Sequence, residues 1–489
     1  MSSAETGKSD RCASTLWGFV IVNRPAVTRL LAEFAADLSY QDLDAGLRDR
    51  LNGLLLDYFR AGLVGISAPW LTKLRKGLSG SMGSPVANII YNSDRADPAR
   101  AAYINGVATG SLEWDDTHVG AMLHPGVVIW PAALAAGQMV GAPRSLVFAA
   151  AAAGYEAMIR IGLSVQPSHF QRGFQSTSTC GVFGAAVATA KVLGLDAGGI
   201  RNAMGIAGSY AGGVTQFFLS GSEVKRLHAG KAAAAGVEAA LFASAGLSGP
   251  PDIIEGRQGF AAALADAFEP DQILDGLGTR FTIMRLQLKV HALSARVLAA
   301  VEAAELLAAE RIDPREISRI VIGLPRVVFG RLTNNRPRDL QQAQMSAPFG
   351  VAAALILAPE RQGPFLLGIE ECDAALKRSD IRALAAKAEC EPDAEVELAS
   401  TDESVAGRVT IEMADGQRVS RIVARPLGSP QRPMTTDALQ DRFRAVAQSR
   451  MSGEEITNWF GVVADGSSGN WAEQVMSLRP CDAASGEHR

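Results

Sequence analysis

The segment Gly181-Val-Phe-Gly-Ala-Ala-Val-Ala-Thr-Ala-Lys-Val-Leu193 decides how this chain folds, because nearly every residue in it is small or apolar. A helix of this composition has no wide polar face, so it has to be buried among other helices. Residues 127–137, 145–163 and 230–245 are Ala-rich in the same way. Together these segments predict a helical domain in which small side chains let helix backbones approach closely.

Further along the chain the pattern changes to one typical of strands. Residues 316–324 alternate between apolar and polar, as in a half-buried strand. Residues 407–413 and 417–424 alternate likewise and flank Asp415-Gly416, a dipeptide that strongly favours a hairpin turn. Residues 343–357 return to a helical pattern, so this later part of the chain predicts an α+β domain.

We therefore predict a mainly α fold, with a large all-helical domain and a smaller inserted α+β domain. After a proline-rich stretch, Met434-Thr-Thr-Asp437 has N-cap character before a periodic segment at residues 438–446, which predicts a last helix that returns to the first domain. The predicted division is 1–24 disordered or extended, 25–285 helical domain, 286–428 α+β domain, 429–478 helical return, and 479–489 disordered tail.

The composition of the 489 residues excludes several classes of partner. The formal net charge is only −4 and no long basic run occurs, which argues against nucleic acid and acidic membranes. No apolar stretch reads as long and uninterrupted enough to span a bilayer. The five cysteines are widely separated, without the spacing of a metal site or a disulfide framework. We expect a cytoplasmic protein that binds a small molecule.

Ionisable residues are concentrated in Ser111-Leu-Glu-Trp-Asp-Asp-Thr-His118 and the nearby Leu123-His-Pro125. This stretch holds three carboxylates and two imidazoles, although the whole chain has only six histidines. Such a cluster costs stability unless it has a use. It is therefore the first candidate for a functional site.

Short blocks before and after this cluster follow one another in a recognisable order. They are Asn105-Gly106, Glu113-Trp-Asp-Asp-Thr117, His124-Pro125, Pro131-Ala-Ala133, Tyr155-Glu156, Arg160-Ile-Gly162, Arg172-Gly-Phe174, Gly181-Val-Phe-Gly-Ala-Ala186, Gly205-Ile-Ala207, Lys225-Arg-Leu-His228, Gly259-Phe260, Ser346-Ala-Pro-Phe349 and Pro433-Met434. This ordered set resembles the MmgE/PrpD family of 2-methylcitrate dehydratases, cis-aconitate decarboxylases and iminodisuccinate epimerases.

The resemblance implies a helical domain with an inserted α+β domain, a homodimer, and a site in the cleft between the domains. Enzymes of that family use neither a metal nor an organic cofactor, and their substrates are small organic acids. Their reactions make or break a bond beside a carboxylate or imine, so negative charge builds up on an enolate-like skeleton. Such a step needs a base, an acid and cations that hold the charge.

Three residues are the predicted catalytic group. His124 falls on the family's histidine in the His-Pro block, and its ordinary pKa suits proton transfer near neutral pH. Lys225 falls on the family lysine that neutralises a substrate carboxylate, although a solvated surface lysine is the plain alternative. Glu113 stands where the family usually has an aspartate, and its longer side chain alters the local geometry.

A second group of residues is predicted to bind substrate. Asp115, Asp116 and Thr117 match the family strongly, with helix capping as the alternative role. His228 lies three residues after Lys225, so that both would project to similar sides of a helical turn. For His118 the sequence leaves its role open, with exposure to solvent as one interpretation.

Gln175, Lys289 and His291 complete the predicted substrate-binding group, although this part of the sequence departs from the family pattern. Many members carry a histidine where this chain has Gln175, which hydrogen-bonds but does not exchange a proton near pH 7. His169 would replace it only if its loop reoriented. Lys289 aligns with a family lysine, yet the usual histidines fall on Ser294 or Leu298, and His291 is the nearby substitute for binding substrate.

These observations favour a cofactor-independent lyase, with dehydration of a β-hydroxy acid as the first hypothesis. Decarboxylation of an aconitate-like acid is the second hypothesis within the lyases. An epimerase, which only removes and returns a proton, is the alternative from another class of enzyme. The missing histidines also leave open a site remodelled for a larger, non-carboxylate substrate, or a binding protein without catalysis.

Overall fold

The structure is a computed structural model that describes residues 25–479, except 221, 311, 330, 362–364 and 467–468. The two chain ends for which disorder is predicted lie outside the described residues, apart from Arg479. The described chain is mainly helical, as predicted. Its buried apolar side chains form two large clusters, referred to below as the first and second cores.

The first core collects buried residues from Val27 to Leu288 and again from Leu439 to Met476. Four of its helices cover the Ala-rich segments, so that prediction is confirmed. The α-helices in its first part are α1 Val27–Asp37, α2 Ala45–Gly65, α3 Pro69–Leu78, α4 Pro98–Gly110, α5 Gly126–Val140, α6 Arg144–Val165, α7 Ser168–Gln171, α8 Ser176–Thr179, α9 Gly181–Val192, α10 Ala197–Gly208, α11 Phe217–Ser220, α12 His228–Ser244, α13 Phe260–Leu264 and α14 Asp271–Leu274. A short antiparallel pair, β1 Ala87–Asn88 and β2 Arg95–Ala96, joins them.

Helices α4 and α12 pack so closely that only glycine fits where they cross. A Cβ on Gly230 would lie 2.2 Å from the carbonyl oxygen of Tyr103, and one on Gly106 would lie 2.8 Å from the Gly230 Cα. At the end of α4, a Cβ on Gly110 would lie 3.0 Å from that of Ala229. The residues that follow α4 and those that precede α12 are therefore held together.

The second core collects buried residues from Leu293 to Val423 around a four-stranded sheet. Residues 291–428, the part of the chain that builds this core, are called the second domain below. The sheet has the order β4-β3-β5-β6, with β3 parallel to β4 and antiparallel to β5. Its hairpin pairs Gly407 with Val423 and Glu412 with Arg418, which confirms the turn predicted at Asp415-Gly416. The elements are α15 Leu298–Ala308, β3 Ile317–Leu324, α16 Leu340–Gln344, α17 Ala347–Leu357, α18 Ile369–Lys377, α19 Ser379–Ala386, β4 Ala388–Pro392, α20 Ala394–Ala399, β5 Gly407–Met413 and β6 Arg418–Val423.

Two predictions about helices need correction. The single helix expected over residues 343–357 is split, because Ser346 caps α17 by accepting from the Phe349 N–H at 3.0 Å and Pro348 stands in its first turn. The single last helix is three: α21 Thr436–Ala447, α22 Gly453–Ala464 and α23 Trp471–Val475. Thr435 caps the first of them, as the sequence indicated.

One helix meets the length and composition of a membrane span, contrary to the sequence analysis. It is α6, with 22 residues, and 89% of its apolar window is buried inside the protein. A buried ion pair, Arg160 with Glu156 at 2.8 Å, lies in the middle of α6. Its position is that of a central helix of the first core.

The two cores meet beside the segment between α4 and α5. The Thr117 N–H donates to the Gln287 carbonyl at 2.9 Å, and the Gln287 N–H returns a bond to the Thr117 carbonyl at 2.8 Å. Trp114 packs with Leu112 and Ala292 in a small cluster between the cores. This junction places residues 112–117 against residues 287–292.

Candidate active site

The site is built on residues 111–125, called here the site loop, which joins α4 to α5. Its backbone is fixed from several sides: Arg60 donates to the Trp114 carbonyl at 2.7 Å, and Arg226 donates to that of Ser111. Within the loop, the His118 N–H donates to the Leu123 carbonyl at 2.9 Å. The loop is thus a rigid part of the structure, although it has no helix or strand of its own.

Two residues of the site loop hold backbone conformations that side chains rarely adopt. Glu113 and Met122 both have φ of 55°, in the left-handed region. Both side chains line the same cavity. Strain of this kind, outside glycine, is concentrated at functional sites.

A chain of alternating charges runs along the cavity wall and into the protein behind it. The Lys225 ammonium contacts Glu113 directly. The Lys289 Nζ, which is fully buried, lies 3.6 Å from the Glu113 Oε2 and 3.0 Å from the Asp115 Oδ1. The other Asp115 oxygen lies 3.3 Å from the His124 Nδ1. Each carboxylate is thereby held between two nitrogen groups.

His124 is positioned through its Nδ1. That nitrogen lies 3.0 Å from the Asp116 carbonyl oxygen and 3.0 Å from the Thr117 Oγ1. Because a carbonyl only accepts, we assign the proton of the neutral ring to Nδ1, which leaves the Nε2 lone pair free for a ligand. Burial lowers the pKa of His124 to about 4, with Asp115 opposing and Lys289 adding to the shift. The ring is therefore neutral at pH 7.

Lys225 belongs to the 3-10 helix Glu223–Leu227, immediately before α12. Because α12 abuts the end of α4, this ammonium meets Glu113. Burial lowers the pKa of Lys225 well below its ordinary value, and Lys289, Arg226 and Arg296 lower it further. The contact with the Glu113 carboxylate acts in the opposite direction. The alternative of a solvated surface lysine is wrong, since only 13% of the Lys225 side chain is exposed.

These groups line a cavity of about 360 Å³ between the two cores. Its walls combine the catalytic candidates with apolar and cationic side chains. The lining residues are Glu113, Thr117, Val119, Met122, His124, Pro167, Phe170, Gln171, Gln175, Phe218, Lys225, Ser294, Ala295, Arg296, Arg326, Val327, Val328, Phe329, Arg331, Leu332 and Met345. These residues come from two parts of the chain, 113–225 and 294–345.

Some predicted binding residues lie behind the cavity instead of facing it. Asp115 and Lys289 hold the charged wall from within. Asp116 accepts from the Gly126 N–H at 2.9 Å, at the start of α5, and from the Tyr155 hydroxyl at 3.0 Å. Burial raises the pKa of Asp116 to about 7. Its role is the capping one that the sequence left open.

Two of the predicted binding histidines are placed away from the cavity. His291 lies 2.9 Å from Glu305 and accepts from the Leu367 N–H at 3.1 Å, within the second domain. His228 packs against Phe217, 5.6 Å between ring centroids, at the first residue of α12. Neither side chain lines the cavity.

Two other histidines are buried as structural groups. His118 is fully buried, so the interpretation of exposure to solvent is wrong, and its Nδ1 accepts from the Ala121 N–H at 3.1 Å. His169 lies between the Leu264 carbonyl and the Thr179 hydroxyl, at 3.0 and 2.7 Å, and stacks on Phe174. With both ring nitrogens engaged, His169 does not replace the histidine that the family has at Gln175.

The positions where the family usually has histidine do face the cavity. Gln175 lines it, while its Oε1 accepts from the Ser178 N–H at 2.8 Å and so caps α8. Ser294 also lines it, whereas Leu298 is buried in the second core. The two substituted positions therefore exchange imidazoles for neutral polar groups at the cavity wall.

The sequence analysis missed the second-core side of the cavity. Arg296, Arg331 and Phe329 line it, as does Phe170 of α7. Arg296 follows Lys289 by seven residues, but no residue pattern marks it as facing a ligand. Arg331 lies far from the site loop in sequence, and only the meeting of the two cores brings it close.

Comparison with known proteins places these observations in context. Family models match twice: the MmgE/PrpD N-terminal domain at residues 29–273, and the MmgE/PrpD C-terminal domain at residues 291–459. The cis-aconitate decarboxylase-like protein oryM of Aspergillus oryzae is 28% identical, covering 88% of this chain and 92% of that protein. Cis-aconitate decarboxylase of Aspergillus terreus is 27% identical, covering 87% and 90%, and that of Homo sapiens is 26% identical, covering 90% and 91%.

Proposed function

Because this chain belongs to the MmgE/PrpD family, and its curated relatives support a lyase, we propose that it is a carboxy-lyase acting on an unsaturated tricarboxylic acid of the cis-aconitate type. The sequence alone favours dehydration. Two relatives that are named cis-aconitate decarboxylases align with this chain over about nine-tenths of their length. For this reason we propose loss of carbon dioxide instead.

The observation that carries the proposal is the placing of His124 and Lys225 at one cavity. Each is held from behind by its own carboxylate, since Asp115 lies 3.3 Å from His124 and Glu113 contacts Lys225. An ammonium has three donors, so Lys225 can keep Glu113 and also donate to a substrate carboxylate. In this cavity, the His124 imidazole can transfer a proton and the Lys225 ammonium can stabilise negative charge, and the reaction requires both.

In the proposed reaction, the bond between a carbon atom and one carboxylate carbon breaks, and carbon dioxide leaves. The electron pair stays on the substrate and spreads into a remaining carboxylate, where the Lys225 ammonium stabilises the developing charge. Binding of the anion favours the charged form of His124, which has taken up a proton from solvent. The His124 Nε2 then gives that proton to carbon, and the ring is reprotonated from water.

Dehydration is the second candidate, and one specific observation favours it. The lowered pKa of His124, about 4, keeps its ring neutral at pH 7, and the neutral ring is the form that removes an α-proton. Lys225 would then assist the departing hydroxyl as the acid. The two reactions use the same residues but opposite starting protonation states of His124.

Proton NMR in D2O with cis-aconitate, 2-methylcitrate, citrate and iminodisuccinate, each supplied separately, distinguishes these reactions. For cis-aconitate we expect release of carbon dioxide and one solvent deuteron on carbon per turnover. New vinylic signals from 2-methylcitrate or citrate would establish dehydration instead, and deuterium exchange without elimination would establish an epimerase. No change in any of the four acids would refute the proposal.

Matched variants connect the activity to the site. His124→Ala and Lys225→Ala are each expected to reduce turnover by about 100-fold or more, the usual contribution of a positioned acid or oxyanion donor. Lys231→Ala, at an exposed lysine of α12, is the control and should leave turnover unchanged. Equal activity of Lys225→Ala and Lys231→Ala would contradict the role given to Lys225.

A further inference from the structure

Three arginines of the second domain line the cavity, Arg296, Arg326 and Arg331, and two of them lie beside one aromatic ring. The Arg331 guanidinium carbon lies 4.5 Å from the centroid of Phe170, and that of Arg296 lies 6.0 Å from the same centroid. Neither guanidinium has a hydrogen bond or an ion pair with any residue that the structure describes. By contrast, the buried Arg160 is fully engaged by Glu156 and by backbone carbonyls.

The charges at the cavity do not balance without a ligand. Lys225 and Lys289 are already matched by Glu113 and Asp115. His124 is neutral, so the arginines are a positive surplus that no described carboxylate offsets. Arg296 is half-buried, whereas Arg331 is exposed. A half-buried cation beside a second cation is unfavourable unless an anion joins them.

The environment of Arg296 agrees with this reasoning. Burial, together with the neighbouring Arg331, lowers the pKa of Arg296 to about 10. The face of Phe170 holds the two cations without neutralising them. A planar guanidinium offers paired N–H groups that match a carboxylate, so each arginine is suited to a bidentate contact.

We propose that Arg296 and Arg331 form a subsite for a carboxylate that does not react, next to the ring of Phe170. This inference rests on the proposed function, because it concerns the same cavity. It assigns specificity: the substrate class is acids with a second carboxylate remote from the reacting one, and Lys225 with His124 serves the reacting end. Acids with one carboxylate would leave both guanidiniums unpaired and bind poorly.

Calorimetric binding of propane-1,2,3-tricarboxylate, which has no double bond or hydroxyl to react, tests the subsite without turnover. We expect Arg296→Gln and Arg331→Gln each to weaken binding at least 10-fold. Arg296→Lys keeps the charge but loses the paired donors, and it should fall between wild type and Arg296→Gln. Arg382→Gln, at an exposed arginine of α19, should bind like wild type.

The outcomes separate this inference from the proposed function. Weakened binding in both cavity variants, with Arg382→Gln unchanged, supports the subsite even if no acid is decarboxylated. Wild-type affinity in Arg296→Gln and Arg331→Gln overturns it, as does a wild-type protein that does not bind the tricarboxylate at millimolar concentration. Where cis-aconitate is turned over, the same variants should raise KM at least 10-fold and change kcat by less than about 3-fold.

Discussion

Replacing Lys289 by methionine tests the buried charge chain directly. Methionine keeps nearly the same volume and removes only the ammonium, so the packing around this fully buried side chain is preserved. The Lys289 Nζ lies 3.0 Å from Asp115 and 3.6 Å from Glu113, and both carboxylates are more than nine-tenths buried. Without Lys289, Asp115 keeps only the neutral His124 as a nitrogen partner, whereas Glu113 keeps Lys225.

The magnitude follows from the cost of a buried charge that loses its partner. Removing one member of a buried pair destabilises a protein by about 3–5 kcal/mol. The lower end applies here, because one of the two carboxylates keeps an ammonium. We therefore expect Lys289→Met to lower the free energy of unfolding by about 3 kcal/mol. In Lys289→Met/Asp115→Asn the unpaired charge is gone, so at least half of that loss should return.

Equilibrium unfolding in urea, followed by tryptophan fluorescence and by circular dichroism, measures these differences. Lys231→Met, at an exposed lysine, is the matched control and should stay within about 0.5 kcal/mol of wild type. A loss below about 1 kcal/mol in Lys289→Met would refute the reasoning. So would a double variant that is no more stable than the single one, because the cost would then not come from the unpaired Asp115.

Three further predictions concern pH and packing. The pKa of His124 in the free enzyme is about 4. Because His124 acts as the proton donor in the proposed decarboxylation, kcat/KM for cis-aconitate should fall about tenfold per pH unit above this pKa. Loss of activity below this pKa would show instead that the neutral ring is the active form. The raised pKa of Asp116, about 7, means that the folded protein holds a proton that the unfolded chain releases near pH 4. The free energy of unfolding should therefore fall as pH rises from about 4 to about 7, and Asp116→Asn should flatten this slope in urea titrations at several pH values. Gly230→Ala places a Cβ 2.2 Å from the Tyr103 carbonyl oxygen and should lower the free energy of unfolding by about 1–3 kcal/mol. Gly77→Ala, in open space on α3, should raise it by about 0.5–1 kcal/mol. Equal unfolding midpoints of the two variants would contradict the close packing of α4 and α12.

The helices and strands were predictable where local sequence is sufficient to specify them. The Ala-rich helices and the hairpin at Asp415-Gly416 follow from patterns within about twenty residues, and all of them form. The break between α16 and α17 was missed because the apolar period continues through Ser346, although the Ser-x-Pro arrangement is a recognisable start signal. Periodicity alone does not reveal where one helix ends and another begins.

The site was predictable in part for the same reason. The residues of the site loop are close in sequence, so Glu113 and His124 were found together, and family blocks pointed to Lys225. Whether a histidine faces a cavity or the interior depends on tertiary packing, which is why His118 and His291 were misplaced. The arginines of the second domain carry no motif, and their importance follows only from the absence of a described counter-ion.

The division of the cavity between two cores has an evolutionary consequence. His124 and Lys225 belong to the part of the chain that builds the first core, whereas Arg296 and Arg331 belong to the part that builds the second. Mutations in the second domain can therefore alter substrate choice while leaving His124 and Lys225 in place, although loss of Arg296 would also raise the pKa of Lys225. During evolution, substitutions in one part of the chain can change which acid is bound, while the residues that transfer protons are retained in the other part.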